Sequence, residues 1–311
     1  MEINIKRIVV NFLSCFIINR KKRKDFRERM LIKRIGCNDA DKYCTGIPIE
    51  PWAYIRARNE IGTIDSCLKS ILPVIKKGVI GYNDCDDGTE EYILEFCKQN
   101  PGFIPAKYPY SVYPPSHEAY KLSGEEEKKC HTYSNFVLSK IPKGEWLIKV
   151  DCDHVFNAEK LKKIFYLPKN DNDCIILPRL NLYYDKEENK VYTSKKTPYV
   201  DSKDFWLLKN NNLKFVLSKW IHREDGKEEF RACEDLYVKN KNLIYVELNN
   251  YHFPTVKNWR GSKIDKKLLI PLKEYIKTAP IGTKIDVNML DENKILDICQ
   301  KLNVEHKRIL P

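Results

Sequence analysis

The apolar positions divide the first half of the chain into short strands alternating with helices. Trp52-Ala53-Tyr54-Ile55 predicts a strand that runs into the polar stretch Arg56-Ala57-Arg58-Asn59-Glu60. Ile64, Cys67, Leu68, Ile71, Leu72 and Ile75 then recur at helical spacing. Thr63 is placed to cap that helix, and Pro73 to kink or shorten it. Val79-Ile80-Gly81-Tyr82 predicts a second strand, ending in the turn-rich Asn83-Asp84-Cys85-Asp86-Asp87-Gly88-Thr89. Helical spacing resumes at Glu90, with Tyr92, Ile93, Phe96 and Cys97 on one face, and Phe103–Ala106 predicts a third strand. This alternation predicts a parallel sheet with right-handed crossovers.

After a Tyr/Pro-rich loop (107–127), a helix with Tyr133, Phe136 and Val137 inward leads to Glu145-Trp146-Leu147-Ile148-Lys149-Val150. That run reads as a buried strand ending in Asp151-Cys152-Asp153. In an extended chain residues i and i+2 face the same way, so both carboxylates aim past the strand's C-terminal end. Ligands gather there in open α/β sheets. Two hard oxygen donors suit Mg²⁺ or Mn²⁺, which would in turn hold a diphosphate. A solvated turn is the plain alternative. His154 points away from Asp153 if the strand continues.

The second half is more mixed. A short helix around Leu161, Ile164 and Phe165 precedes strands at 175–184 and 191–193, joined by a polar turn at 185–189. Strands are also expected at 205–208, 213–216 and 243–248, and Arg231–Tyr237 reads as a helix start. Asn249-Asn250-Tyr251-His252-Phe253-Pro254 follows the last strand. The Lys-rich tail holds one helix with Leu290, Ile295, Ile298 and Leu302 apolar. We therefore divide the chain into 1–50 (arm and linker), 51–160 and 161–260 (the two parts of one domain) and 261–311 (a basic extension).

Composition changes this picture in two places. The net charge of +12 is uneven: residues 1–34 hold eleven Lys/Arg against three Asp/Glu, and the remainder 44 against 40. The body is thus nearly balanced, which argues against nucleic acid as a partner. Within the arm, Ile8–Ile18 is apolar but too short to span a bilayer, and Arg20-Lys21-Lys22-Arg23-Lys24 follows directly. That pairing predicts a segment lying on an anionic membrane surface, the alternative being a buried helix followed by a solvated charge run. The eleven cysteines are odd in number and contain no CxxC pair, which points to reduced thiols and a cytoplasmic setting.

The three polar strand ends, in the order Arg56–Glu60, Asn83–Thr89 and Asp151–Asp153, resemble the family-2-like glycosyltransferases of the GT-A fold. The helix bearing Asn135, Lys143-Gly144-Glu145 and the pair Glu234-Asp235 extend that likeness across residues 51–240. Asn83 departs from it, standing where the family has its first Asp. Pro51–Arg56, Ser70–Pro73, Gly78–Cys85, Glu95–Gln99 and Trp206–Asn210 more closely resemble bacterial lipooligosaccharide β-1,4-N-acetylgalactosaminyltransferases. The resemblance implies a Rossmann-like α/β fold with a mostly parallel central sheet flanked by helices. It also implies UDP-GalNAc as donor, a lipid-linked oligosaccharide with a sialylated galactose as acceptor, a divalent metal, and inversion at the anomeric carbon. With the basic arm, it places the protein on the inner face of the bacterial inner membrane.

Roles follow as expectations from that likeness. Asp153 would hold the metal, with Asp151 on metal or ribose and His252 as a third ligand. Asp84 would accept from the uracil N–H, with Arg58 and Glu60 lining the same pocket and Arg56 on a phosphate or paired to a loop carboxylate. Asn135 belongs to the same nucleotide-sugar set. Asp235 is the expected base, with Glu234 second. The structural alternatives are turn chemistry for Asp84, Asp86 and Asp87, a helix N-terminus for Glu234-Asp235, and a packed His for His252. Trp206, Trp220 and Trp259 could stack on sugars or simply pack.

Two other functions share parts of the pattern. A nucleotidyltransferase would carry a Gly-rich phosphate loop after its first strand, and Arg56–Glu60 has no Gly. A non-catalytic glycan- or membrane-binding module would not need Asp84, Asp151, Asp153 and Asp235 together.

Overall fold

The computed structural model describes residues 5–20, 22–23, 26, 33–37, 39–202, 204, 206–224, 227–237, 241–256, 264–302 and 309–310. Lys21 and Lys24 of the basic cluster, Phe205 and Trp259 lie outside the described residues. Two short helices, α1 (Ile5–Cys15) and α2 (Ala40–Tyr43), and the brief strand β1 (Lys33–Arg34) precede the body.

From there strand and helix alternate: β2 (Trp52–Ala57), α3 (Ile64–Ile71), β3 (Lys77–Tyr82), α4 (Thr89–Gln99), β4 (Phe103–Lys107), α5 (Cys130–Leu138) and β5 (Trp146–Asp151). Next come β6 (His154–Phe156), α6 (Ala158–Ile164), β7 (Asp173–Ile176), β8 (Arg179–Asp185), β9 (Lys190–Ser194), β10 (Tyr199–Val200) and β11 (Trp206–Lys209). The long strands β12 (Lys214–Glu224) and β13 (Lys227–Tyr237) precede β14 (Asn242–Tyr245) and β15 (Asn250–His252). Beyond them lie β16 (Ile264–Asp265), β17 (Leu269–Pro271), α7 (Leu272–Ile276) and α8 (Glu292–Lys301).

The main sheet has eight strands in the order β1-β14-β7-β11-β5-β2-β3-β4. All its pairs are parallel except those of β11, which runs against both neighbours. The fold is therefore α/β with a mostly parallel central sheet, as the alternation predicts. β2 is buried at Ala53, Tyr54 and Ile55 on both faces, as an interior parallel strand must be. Ile64, Cys67, Leu68 and Ile71 are the buried face of α3, and the helix stops before Pro73. Thr63 sits at the cap position, but its hydroxyl bonds Glu60 rather than the helix.

A second sheet, β17-β9-β8-β15-β6 with β10 on β8, has its own core. Leu272, Tyr275, Met289, Leu290, Ile295 and Cys299 from the C-terminal segment fill it against Leu180, Leu182, Tyr251 and Phe253. The tail is thus an integral layer over this sheet.

Two expectations are corrected. Arg231–Tyr237 does not start a helix. It is the second arm of the antiparallel hairpin β12–β13, in which Leu217 pairs with Glu234 and Val216 with Asp235. The cross-strand contacts override a weak local pattern. Second, the strand bearing the two aspartates does not continue past Asp151. A turn at Cys152-Asp153 sends β6 into the second sheet, where His154 pairs with His252. His154 therefore faces Asp153.

Candidate active site

Two adjoining strand ends build the floor of the site. In the β2/β5 pair Arg56 stands opposite Asp151, so both side chains emerge at the same sheet edge. Asp153 lies one turn further on, at the corner where the chain passes from the first sheet to the second; its backbone carbonyl accepts from the Phe253 N–H at 2.9 Å. The hairpin walls one side. The result is a cleft of about 950 Å³ lined among others by Arg56, Lys149, Asp151, Asp153, Arg179, Asp204, Glu234, Asp235 and His252.

The structure thus brings together Arg56, Asp151, Asp153, Glu234, Asp235 and His252. Arg58, Glu60, Asp84 and Asn135 do not line this cleft. Arg58 and Asp84 face each other at 3.6 Å beyond β2 and β3, where Ser111 also donates to Asp84 at 3.0 Å. Asp84 has φ +46, a conformation only short polar residues and Gly adopt readily. Glu60 is buried and accepts from the Thr63 hydroxyl. Asp86 and Asp87 tie this loop to the one before it, through Asn59 and the Ile61 N–H. Asn135 brackets one residue of the hairpin: its Oδ1 accepts from the Phe215 N–H and its Nδ2 donates to the Phe215 carbonyl, at 2.9 and 2.8 Å. Trp206 is core, and Trp220 is exposed on the hairpin.

Along β13, alternation sends Glu234 and Asp235 to opposite faces. Glu234 turns to Arg56, with Nη1 to Oε1 at 2.6 Å, and Arg56 also donates to Ser134 Oγ at 2.7 Å. Burial alone would raise the Glu234 pKa; Arg56 and Lys149 more than offset that and hold it at about 2. Glu234 is thus held ionised against Arg56. Asp235 is exposed and opens into the cleft.

Sequence reasoning missed Lys149, Arg179 and Asp204, and aimed His154 away from Asp153. Lys149 was within reach, since it precedes Asp151 by two on the same strand face. Its ammonium lies 2.9 Å from Asp204 and 3.6 Å from Asp151. Burial would lower its pKa, yet Asp151 and Asp204 together hold it raised, so it stays charged. Arg179 enters from the second sheet, which no local pattern announced.

The fit of a divalent cation can be judged from the donors themselves. Asp153, His154 and His252 each offer a ligand atom, and these atoms lie within 4.8 Å of one another. His252 Nε2 stands 3.5 Å from Asp153 Oδ2, and His154 Nε2 stands 3.9 Å from Asp153 Oδ1. Burial, and then the neighbouring His252, push the His154 pKa down to about 3, so its ring is neutral as a ligand must be. Carboxylate plus neutral imidazole suits a first-row divalent ion such as Mn²⁺. The residues present fit the metal.

An α/β sheet whose strand ends converge on an acidic, cation-competent cleft, together with the sequence match that follows, defines the class as a glycosyltransferase. The model of the β-1,4-N-acetylgalactosaminyltransferase (CgtA) family matches residues 38–303. The chain belongs to that family. No curated protein matches it. Among solved structures, it is similar to glucosyl-3-phosphoglycerate synthase from Mycobacterium tuberculosis in complex with Mn²⁺, uridine diphosphate and phosphoglyceric acid. That likeness has a TM-score of 0.25 and 14% identity, covers 51% of this chain, and spans about half of that chain, 52%.

Proposed function

We propose that the protein is a metal-dependent, inverting glycosyltransferase that moves GalNAc from UDP-GalNAc onto a galactose of a lipid-linked oligosaccharide in β-1,4 linkage. The family match supports the sugar and the linkage. The observation that carries the reading is the convergence of Asp151, Asp153 and His252 with Asp235 on one cleft.

In this reading Asp153 and His252 hold the ion, with Asp151 beside it, and a bound cation supplies positive charge to the departing diphosphate. Lys149 and Arg179 add fixed positive charge at the same edge. Arg58 and Asp84, at the ends of β2 and β3, receive the uracil, with Asp84 accepting its N–H. Asp235 takes the proton from the acceptor hydroxyl on the face opposite the leaving group. Glu234 keeps Arg56 and the hairpin in place, so that Asp235 meets the sugar at a set distance.

Membrane attachment belongs to the same proposal. On α1 and just beyond it, Ile8, Val9, Phe12, Leu13 and Phe16 are all exposed and follow helical spacing. No described helix is long and apolar enough to cross a membrane. We read this face as lying on an anionic bilayer, which would bring the cleft to lipid-linked acceptors. A screen of UDP-sugars with Mn²⁺, read by UDP release and product linkage, tests the central proposal. Release from UDP-GalNAc only in the presence of acceptor supports it; turnover of a nucleoside triphosphate to pyrophosphate refutes it.

A further inference from the structure

The hairpin β12–β13 has two unlike faces, and its pairing fixes which residues belong to each. Leu217, Phe230, Ala232 and Glu234 alternate onto the face that packs on the body. There Leu217, Phe230 and Ala232 meet Tyr120 and Cys130. Ser116 braces the free edge of β13: its backbone N–H donates to the Ala232 carbonyl at 2.9 Å, and its hydroxyl accepts from the Ala232 N–H at 3.3 Å. On the other face Val216 stands opposite Asp235, Ser218 opposite Cys233, and Trp220 opposite Arg231. Val216, Cys233 and Asp235 line the cleft. The cleft wall therefore continues along the same face, with no break in register, to Trp220 and Arg231.

Trp220 is 45% exposed, a large apolar ring left in water. It lies four residues beyond Val216 on an extended strand, about 13 Å from the pair that holds Asp235. That is too far to touch the sugar whose hydroxyl meets Asp235, and within reach of the sugars attached to it. Arg231 is fixed beside the ring, since its Nη2 donates to Glu229 Oε2 at 2.6 Å and its remaining N–H groups exceed what that contact uses. An aromatic face next to fixed N–H donors matches a hexose, which has an apolar C–H face and a rim of hydroxyls. An anionic membrane is the other surface that suits an exposed Trp, and charge argues against it. Residues 218–231 hold four Lys/Arg against four Asp/Glu, whereas residues 1–34 hold eleven against three. A balanced hairpin has no net attraction to anionic lipid.

We infer that Trp220, with Arg231 beside it, is the platform for the part of the acceptor oligosaccharide beyond its reacting galactose. The packing under Phe230 and Ala232 holds the hairpin, so ring and Asp235 keep a set separation. The platform thereby reads acceptor length: a bare galactoside reaches Asp235 alone, and a longer chain reaches both. Contacts so far from the reacting atoms are the same in ground state and transition state, so they lower KM and leave kcat as it is. This rests on the transferase reading for what happens at Asp235, and not for the binding of the glycan.

The experiment uses the full chain with UDP-GalNAc and Mn²⁺, and compares a simple galactoside with a galactose-terminated tetrasaccharide as acceptor. Trp220→Ala should raise KM for the tetrasaccharide about tenfold with kcat unchanged, and leave both constants for the galactoside as they are. Trp220→Phe, which keeps an aromatic face, should recover most of the loss. Equal effects on both acceptors, or none on either, overturn the proposal. So does vesicle sedimentation that falls in Trp220→Ala while the acceptor kinetics hold, which assigns the ring to a membrane. A protein that transfers no sugar refutes the transferase reading alone. Equilibrium binding of the tetrasaccharide then decides this one: Trp220→Ala should weaken it about tenfold, and unchanged binding overturns the platform.

Discussion

Arg56 Nη1 lies 2.6 Å from Glu234 Oε1, and this contact joins the end of a core strand to the hairpin that walls the cleft. It separates the roles of two consecutive acids. Glu234 is committed to the Arg56 guanidinium, while Asp235 lies on the other face of the same strand; both line the cleft.

The two acids should therefore fail differently. Asp235→Asn should lower the transfer rate by about 10²–10⁴-fold, with the melting temperature and UDP affinity unchanged. Glu234→Gln should destabilise the fold by about 3 kcal/mol, because it strands Arg56 without its counter-charge. Steady-state kinetics and calorimetry on both variants check this. A stable, inactive Glu234→Gln beside an active Asp235→Asn would reverse the assignment.

Acid should reveal the same clamp. The folded pKa of Glu234, about 2, lies below its ordinary value of 4.5, so its stabilisation is complete above that ordinary value. It is lost as the pH falls through the interval between the two. The gap in melting temperature between the wild type and Glu234→Gln should stay constant from neutral pH down to about 5 and narrow below it. A gap that instead varies between pH 6 and 8 would implicate a histidine.

Removing the metal ligand should act on chemistry and leave the fold standing. Asp153→Ala should reduce transfer on the order of a thousandfold and abolish Mn²⁺-induced stabilisation in thermal melts. Full transfer in the presence of a strong chelator would contradict the metal's role.

Asn135 should prove structural. Both its amide atoms bond the Phe215 backbone, so Asn135→Ala should cost about 1–2 kcal/mol and leave equilibrium binding of UDP unchanged. Weaker UDP binding by a protein of normal stability would return it to the nucleotide site.

The apolar face of α1 should hold the protein on anionic vesicles. Deletion of residues 1–34 should release it while preserving turnover on a soluble acceptor, and Phe12→Glu should weaken vesicle sedimentation about tenfold or more. Binding that survives the deletion would place the contact elsewhere.

Local pattern alone was enough for the first half of the molecule. The 3.6-residue spacing of Ile64, Cys67, Leu68 and Ile71 and the apolar run before Asp151 depend only on which residues are buried, and parallel strands bury both faces. Family likeness likewise followed from strand-end residues whose order survives in one dimension. The hairpin at 214–237 and the sharp corner at Cys152-Asp153 were not legible there, since both depend on partners distant along the chain. Those partners place Glu234 against Arg56 and turn His154 toward His252. A strand's register is settled by hydrogen bonds between segments, so tertiary structure alone decided which acid Arg56 clamps and that both histidines face Asp153.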